Sequence, residues 1–363
     1  GERALQKISR DRRVREALMG NTLGILTGGG DCPGLNPAIR GCVLRALEKG
    51  WTCIGIQDGW KGLLEKRTQP LGLAEVEEVV GRGGTILGTS RTNPYKQEGG
   101  AAVCVTNAKA LGLTAIVAMG GDDTLGVAHR LFTESKFPVV GVPKTMDNDL
   151  SATDVTFGFD TAVTVAVDAA ERLRDTGRSH RRVMVLEVMG RHAGWVALYT
   201  GIAAGADWTL VPEARPNLPA MSAHLKKVHA RKRQALVVVS EGVELGLKDG
   251  GAPKADGFGH AILGKRGVGE ALAVLIEETT GIETRSAVIG HVQRGGAPTL
   301  FDRMLGTRVG VAAADLAMAG NFGHMAALRG THVVPVPLSE AVAKLKTVTP
   351  DWLALLKTLS PSA

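Results

Sequence analysis

The chain is 363 residues long and 44% hydrophobic, which exceeds the needs of one small core and suits two α/β domains with well-buried sheets. Its 43 Lys and Arg against 36 Asp and Glu give a net charge of +7, which favours anionic partners, while 4% aromatic residues leave too few stacking platforms for nucleic acid, so small phosphates are expected. No apolar run approaches the roughly 18 residues of a bilayer span, and Cys32, Cys42, Cys53 and Cys104 form neither a Cys-x-x-Cys pair nor a disulfide framework, which points to a reducing cytoplasm.

A basic N-terminal stretch, Arg10 to Glu16, reads as a solvated helix with no apolar signal core behind it. Thr22 to Thr27 reads as a strand. It opens into Gly28-Gly29-Gly30-Asp31-Cys32-Pro33-Gly34-Leu35-Asn36, a helix from about Pro37 to Lys49, and a second strand, Thr52 to Gln57. Strand, glycine loop and helix together present bare backbone N–H groups to a phosphate, although a plain tight turn uses the same glycines. Neither the dinucleotide Gly-x-Gly-x-x-Gly nor the Walker lysine loop is present, which argues against a nicotinamide dehydrogenase. Arg82-Gly83-Gly84-Thr85 and Gly88-Thr89-Ser90-Arg91-Thr92-Asn93 follow. An arginine in such a loop suits a phosphate clamp, because guanidinium pairs with two phosphate oxygens at once.

The strand Thr114 to Met119 ends in Gly120-Gly121-Asp122-Asp123-Thr124 and a helix to about Thr133. Paired carboxylates there suit helix capping or a hard cation such as Mg²⁺. A buried strand, Phe137 to Val142, then delivers Lys144, Asp147 and Asp149 at its carboxyl end, where ligands of open α/β sheets sit. Two acids and a cation fit a place where general base, metal and phosphate meet, and Asp and Asn also favour simple turns.

The second half repeats the rhythm. Asp160 to Asp175 reads as an amphipathic helix and Arg182 to Val188 as a strand leading to Gly190-Arg191-His192-Ala193-Gly194. Thr209 to Pro212 and Ala235 to Ser240 are short strands, the latter ending at Glu241, and Gly242 to Gly267 reads as a surface insertion rich in Gly and Lys. A helix, Gly269 to Thr279, precedes the strand Thr284 to Gly290 and the turn His291-Val292-Gln293-Arg294-Gly295-Gly296. A long helix (Leu300 to Ala319), a strand near Val333 to Val336 and two short helices complete the chain. Arg91, Lys144, Arg182, Arg191, Arg285, His291 and Arg294 thus fall at or near strand ends beside Asp122, Asp123, Asp147, Asp149 and Glu241, the constellation that phosphoryl transfer needs.

From about Leu23 to Leu356 the chain resembles the phosphofructokinase family. The match rests on five stretches in order: Gly28 to Asn36, Gly120 to Thr124, Pro143-Lys144-Thr145-Met146-Asp147-Asn148-Asp149, Met189-Gly190-Arg191 and Gly290 to Gly296. The resemblance implies two Rossmann-like three-layer α/β domains with largely parallel sheets and the active site in the cleft between them. It implies a donor domain of 1–157 plus 293–344 and a sugar-phosphate domain of 158–292 plus 345–363. It also implies transfer of a phosphoryl group to the 1-hydroxyl of fructose 6-phosphate. Carried over on these motifs, Asp147 is the base for the sugar hydroxyl, Asp122 binds Mg²⁺ and Asp149 helps hold the metal. Gly30, Arg91 and Thr124 fall to the donor; Thr145, Met189, Gly190, Arg191 and Glu241 to the sugar and the transferring group; Arg182, Arg285, His291 and Arg294 to the 6-phosphate. In the family the cations equivalent to Arg182 and Arg285 reach a neighbouring subunit's site, so a homo-oligomer with shared active sites is expected.

One departure bears on the donor. ATP-using members commonly have glycines where this chain has Asp123 and Lys144. A carboxylate against the α-phosphate is a like-charge and steric block, while the lysine can grip the end of a shorter donor. The pair is similar to the pyrophosphate-dependent branch; Asp123 is the stronger half, since some ATP users carry such a lysine. An ATP-dependent enzyme is the alternative donor assignment. A catalytically silent regulatory subunit is the alternative class, against which stand the intact Asp122, Asp147 and Asp149.

Overall fold

Successive strand residues point to opposite faces of a sheet, so a strand that is apolar at every position must be covered on both sides. The computed structural model, which describes residues 20–246 and 267–359, shows this in two sheets. The expected N-terminal helix and most of the Gly- and Lys-rich segment lie outside the described residues.

The first sheet has seven strands: β1 (Thr22–Thr27), β2 (Thr52–Ile56), β3 (Thr68–Pro70), β4 (Ala115–Gly120), β5 (Val139–Pro143), β10 (His324–Arg329) and β11 (His332–Pro337), in the order β11-β10-β5-β4-β1-β2-β3. Its five central strands run parallel, while β3 and β11 pair antiparallel at the two edges. Leu23, Ile25, Val117 and Val140 face the helices Leu35–Glu48 and Leu300–Met318 on one side. Leu26, Ile116, Ala118 and Val139 face Trp60–Glu65, Gly100–Ala110 and Asp122–Ser135 on the other.

The second sheet has β6 (Val183–Val188), β7 (Trp208–Leu210), β8 (Ala235–Ser240) and β9 (Thr284–Val288), all parallel in the order β7-β8-β6-β9. Met184, Leu186 and Val188 pack towards Phe159–His180, Trp195–Ala203 and the C-terminal helix Pro350–Leu359, and Val183 and Val185 towards Leu218–Lys232 and Val268–Thr280. Each sheet is thus the middle of three layers, and the fold is α/β with largely parallel sheets. Among the described residues no helix is long and apolar enough to cross a membrane, and the four cysteines are free and buried.

Several elements have no counterpart in the sequence reading: the helices Trp60–Glu65, Gly100–Ala110, Trp195–Ala203 and Leu218–Lys232, and the strands β3 and β10. Elsewhere the ends shift by a few residues. The helix expected to stop at Asp175 continues to His180, capped by Arg181 in the left-handed region.

Helices Leu35–Glu48 and Leu300–Met318 cross at van der Waals contact because glycines line the crossing. A Cβ on Gly310 would lie 2.1 Å from the Ala38 carbonyl oxygen, and one on Gly41 would lie 2.5 Å from that of Thr307. Gly310→Ala should therefore force the helices apart and cost about 1–3 kcal/mol, the usual range for overpacking a tight core. Urea denaturation of the native and variant chains measures this, and an unchanged midpoint would contradict the contact.

Candidate active site

The carboxyl ends of strands from both sheets open on one cleft of about 320 Å³. From β1 comes the loop Gly28-Gly29-Gly30, bound to the Arg91 loop at two points, with a third bond from the last residue of β1. The Gly29 N–H donates to the Ser90 carbonyl (3.0 Å), the Thr89 hydroxyl to the Gly29 carbonyl (2.6 Å), and the Thr27 hydroxyl to the Gly88 carbonyl (2.7 Å). Arg91 and Gly30 both line the cleft. From β4 come Asp122, Asp123 and Thr124 in the first turn of a helix, where the dipole tolerates negative charge. From β5 come Lys144, Thr145, Asp147 and Asp149.

The second sheet supplies the opposite wall. Met189, Arg191 and His192 follow β6, Glu241 follows β8, and His291 and Arg294 lie in the turn after β9. Gly190 does not line the cleft but makes its shape: at φ +136° it adopts a conformation that disfavours side chains, and its carbonyl accepts the Ser240 hydroxyl. Gln293, wholly buried, accepts the Met189 N–H (2.8 Å) and donates to the Ala162 carbonyl (3.2 Å), which ties the turn after β9 to the turn after β6 and to the helix Phe159–His180. The sequence carries no signal for the Gln293 bridge or for His192 in the lining, since both depend on side-chain direction.

Arg182 and Arg285 are placed elsewhere. They stand at the amino ends of β6 and β9 and share Glu283, at 2.7 and 2.6 Å. Six-residue β6 spans about 20 Å at the usual rise per residue, so neither guanidinium reaches its own chain's cleft. Both lie at or near strand ends, as expected, but apart from the Asp122, Asp123, Asp147, Asp149 and Glu241 carboxylates of their own chain.

Charges in the cleft are strongly coupled. Burial pushes the Asp147 carboxyl up, and Glu241 adds to this, while Arg294, Lys144 and Arg191 pull it back. Asp147 Oδ1 and Arg191 Nε are buried without a hydrogen-bond partner. The Asp149 carboxyl is pushed up to about 7 by burial and then by the charges of Asp147 and Asp122; the Thr145 hydroxyl, donating at 3.0 Å, opposes the rise. Burial pushes the Lys144 ammonium down, and its Nζ donates to the Gly30 carbonyl. The Arg294 guanidinium donates to the Asp31 carbonyl at 3.0 Å, and a Cβ on Gly30 would come within 2.5 Å of it.

A divalent cation fits this acidic corner. Burial lifts Asp149 most, and the repulsion from Asp147 and Asp122 that adds to it is what a 2+ charge would relieve. Among the described residues there is no cluster of three or more ligating side chains. Two carboxylates completed by phosphate oxygens and water is the arrangement Mg²⁺ prefers over an all-protein cage. With a buried carboxylate of raised proton affinity opposite three cations, the cleft can take a proton from a hydroxyl and neutralise a moving phosphoryl group.

A profile of the family described as Phosphofructokinase matches residues 22–317. Over 340 residues the chain is 52% identical to the pyrophosphate–fructose 6-phosphate 1-phosphotransferase of Dictyoglomus thermophilum, covering 93% of this chain and 97% of that one. It is 48% identical over 333 residues to ATP-dependent 6-phosphofructokinase 3 of Streptomyces coelicolor, covering 91% and 96%. Among solved structures, the pyrophosphate-dependent phosphofructokinase of Marinobacter aquaeolei superposes with a TM-score of 0.79 at 22% identity, covering 93% and 91%, a likeness of fold.

The Asp149 proton has a measurable consequence. A carboxyl that holds its proton more tightly when folded stabilises the fold most below its ordinary value of 3.8, and that contribution is lost as pH rises through about 7. Asp149→Asn keeps an acceptor for Thr145 and does not titrate. In the presence of a chelator, the Tm of Asp149→Asn relative to the native chain should therefore climb between pH 4 and pH 7. Thermal melts across that range check it, and a constant difference would remove the raised proton affinity.

Proposed function

The chain belongs to the phosphofructokinase family, and we propose that it moves a phosphoryl group from pyrophosphate to the 1-hydroxyl of fructose 6-phosphate, giving fructose 1,6-bisphosphate and phosphate. The observation that carries the choice of donor is Asp123 facing the same cleft as Lys144. Pyrophosphate and ATP share the transferred phosphorus, but ATP adds an α-phosphate, ribose and adenine. An α-phosphate about 4 Å from the Asp123 carboxylate meets a repulsion on the order of 4 kcal/mol at an effective dielectric of 20. At roughly tenfold per 1.4 kcal/mol, that removes useful ATP affinity.

The roles follow from position. Asp147 takes the proton of the sugar hydroxyl; its raised proton affinity makes it a stronger base than an exposed aspartate. Arg191 and Lys144 balance the charge that shifts as the phosphoryl group moves. Gly30, Arg91, Asp123, Thr124 and Lys144 hold the donor, and Thr145, Met189, Arg191 and Glu241 hold the sugar, with Gly190 shaping the turn between Met189 and Arg191 and His291 and Arg294 on its 6-phosphate. Asp122 and Asp149 would hold Mg²⁺, which neutralises the donor phosphates when bound. In this reading the seven-stranded unit, 1–157 with 293–344, serves the donor, and 158–292 with 345–363 serves the sugar. The buried thiols suit a reducing cytoplasm.

Arg182 and Arg285, too far from their own cleft, are the cations a second copy of the chain would receive, so the working form is a homo-oligomer with shared sites. Exposed Val288, Val292, Leu300 and Met304, on β9, the turn after it and the helix that follows, support a covered face there.

Two measurements test these readings. The native chain should turn over pyrophosphate with Mg²⁺ and ignore ATP, while Asp123→Gly should gain ATP use; comparable kcat/KM for ATP in the native chain would overturn the donor assignment. Mixing inactive Arg182→Ala chains with inactive Asp147→Ser chains should restore part of the activity. Hybrids that form, as seen by native mass spectrometry, and stay inactive would exclude shared sites.

A further inference from the structure

The turn that carries Asp147 and Asp149 is held by a residue far away in the sequence. Asn148, between them, sits at φ +52°, in the left-handed region that side chains other than glycine seldom occupy. Such a conformation persists only where its surroundings enforce it. One enforcing contact is local, the Thr156 N–H donating to Asn148 Oδ1 at 3.2 Å; the others come from residue 346. The Lys346 N–H donates to the Asp149 carbonyl at 2.7 Å. Its ammonium donates to Asn148 Oδ1 (2.8 Å), the Thr153 carbonyl (3.1 Å) and the Asp154 carbonyl (2.8 Å). An ammonium has three N–H donors, and here one loop takes all of them.

The same short segment is fastened to the other wall of the cleft. The Trp195 indole N–H donates to the Lys346 carbonyl at 2.8 Å. The Val348 N–H donates to Glu213 Oε1 at 2.8 Å, and Glu213 also accepts the Gly194 N–H, at 2.9 Å. Gly194 belongs to the turn that carries Arg191. The base and metal side on β5 and the sugar side on β6 are therefore joined through a strap centred on Lys346.

We propose that Lys346 is a positioning residue for the phosphoryl transfer: through Asn148 it fixes the turn that aims Asp147 and Asp149 into the cleft and registers that turn against the Arg191 wall. The inference rests on the catalytic reading given above, but not on which donor is used. A displacement of about 1 Å in a reacting group costs on the order of 10²-fold in rate. A loosened turn should thus appear in kcat, while the substrate phosphates keep their own cations.

The test uses the full-length chain and whichever donor, pyrophosphate or ATP, the native protein turns over, so failure of the donor assignment is read separately, from the native chain. Lys346→Met should lower kcat by about 10- to 100-fold with KM for both substrates within about threefold. Asn148→Gly keeps the left-handed backbone and loses the side-chain acceptor, so it should lower kcat as well. Asn148→Gly also frees the Thr156 N–H, which donates to Asn148 Oδ1 at 3.2 Å, so the comparison is made within that background: Lys346→Met should cost much less kcat there than in the native chain, because the contact it removes is already gone. Lys346→Cys alkylated with 2-bromoethylamine regains an ammonium at nearly the native reach and should recover kcat; the four native thiols are buried. If Lys346→Met fails to fold, Asn148→Gly and the alkylated cysteine carry the test. A lowered Tm with kcat within twofold of native in Lys346→Met or Asn148→Gly would make the strap structural only. Multiplying losses in the double variant would overturn action through Asn148.

Discussion

Two carboxylates two residues apart are both taken out of water, which raises their affinity for protons; the charge of Glu241 adds to this at Asp147, and those of Asp147 and Asp122 at Asp149. Asp147 is tolerated because Lys144, on its own segment, and Arg294 and Arg191, from two others, converge on it. Those cations need the acids equally: Lys144 is almost wholly buried and its charged form is disfavoured by that burial. Much of the architecture serves this mutual dependence. Parallel strands send their carboxyl ends the same way, so the facing sheets place acids and cations across one gap. Bare glycine backbone lets Arg294 and the Lys144 ammonium come in close, where a methyl group would have kept Arg294 out.

The same charge balance explains how donor choice could change without a change of fold. Relatives named for pyrophosphate and for ATP resemble this chain to nearly the same degree. The sheets, the glycine loops and the acidic turn are common requirements of phosphoryl transfer. What differs between a short and a long donor is the space and charge beyond the transferred phosphorus, and one carboxylate at the start of a helix is enough to alter both.

The strands were legible in the sequence because parallel strands buried on both faces are continuous apolar runs, and β1 and β8 have the bounds read from it. Less legible were elements whose pattern is weak or shared. Gly100–Ala110 is small-residue and apolar on most sides, Trp195–Ala203 is apolar throughout, and β10 contains Met-Ala-Ala-Leu, which favours a helix in isolation. At the site, residues quoted in glycine-rich turns were found together because strand ends converge in this topology. Arg182 and Arg285 stand at the start of the strands read as Arg182 to Val188 and Thr284 to Gly290, so their place at the end away from the cleft was legible too. Lys346 had no signal at all, since its partners lie in a loop that only the folded chain brings to it.

The first sheet is not made from one continuous piece of chain. The outer edge of β5 is closed by β10, which lies beyond the whole of the second sheet in the sequence. As the chain leaves the ribosome, β5 therefore stands with an open, apolar edge while the entire second unit is synthesised. Such an edge is a template for pairing with other chains. A nascent chain halted before residue 324 would carry this hazard in full. Because the strap near 346 arrives later still, the aspartate turn is tied down only after that edge has been covered.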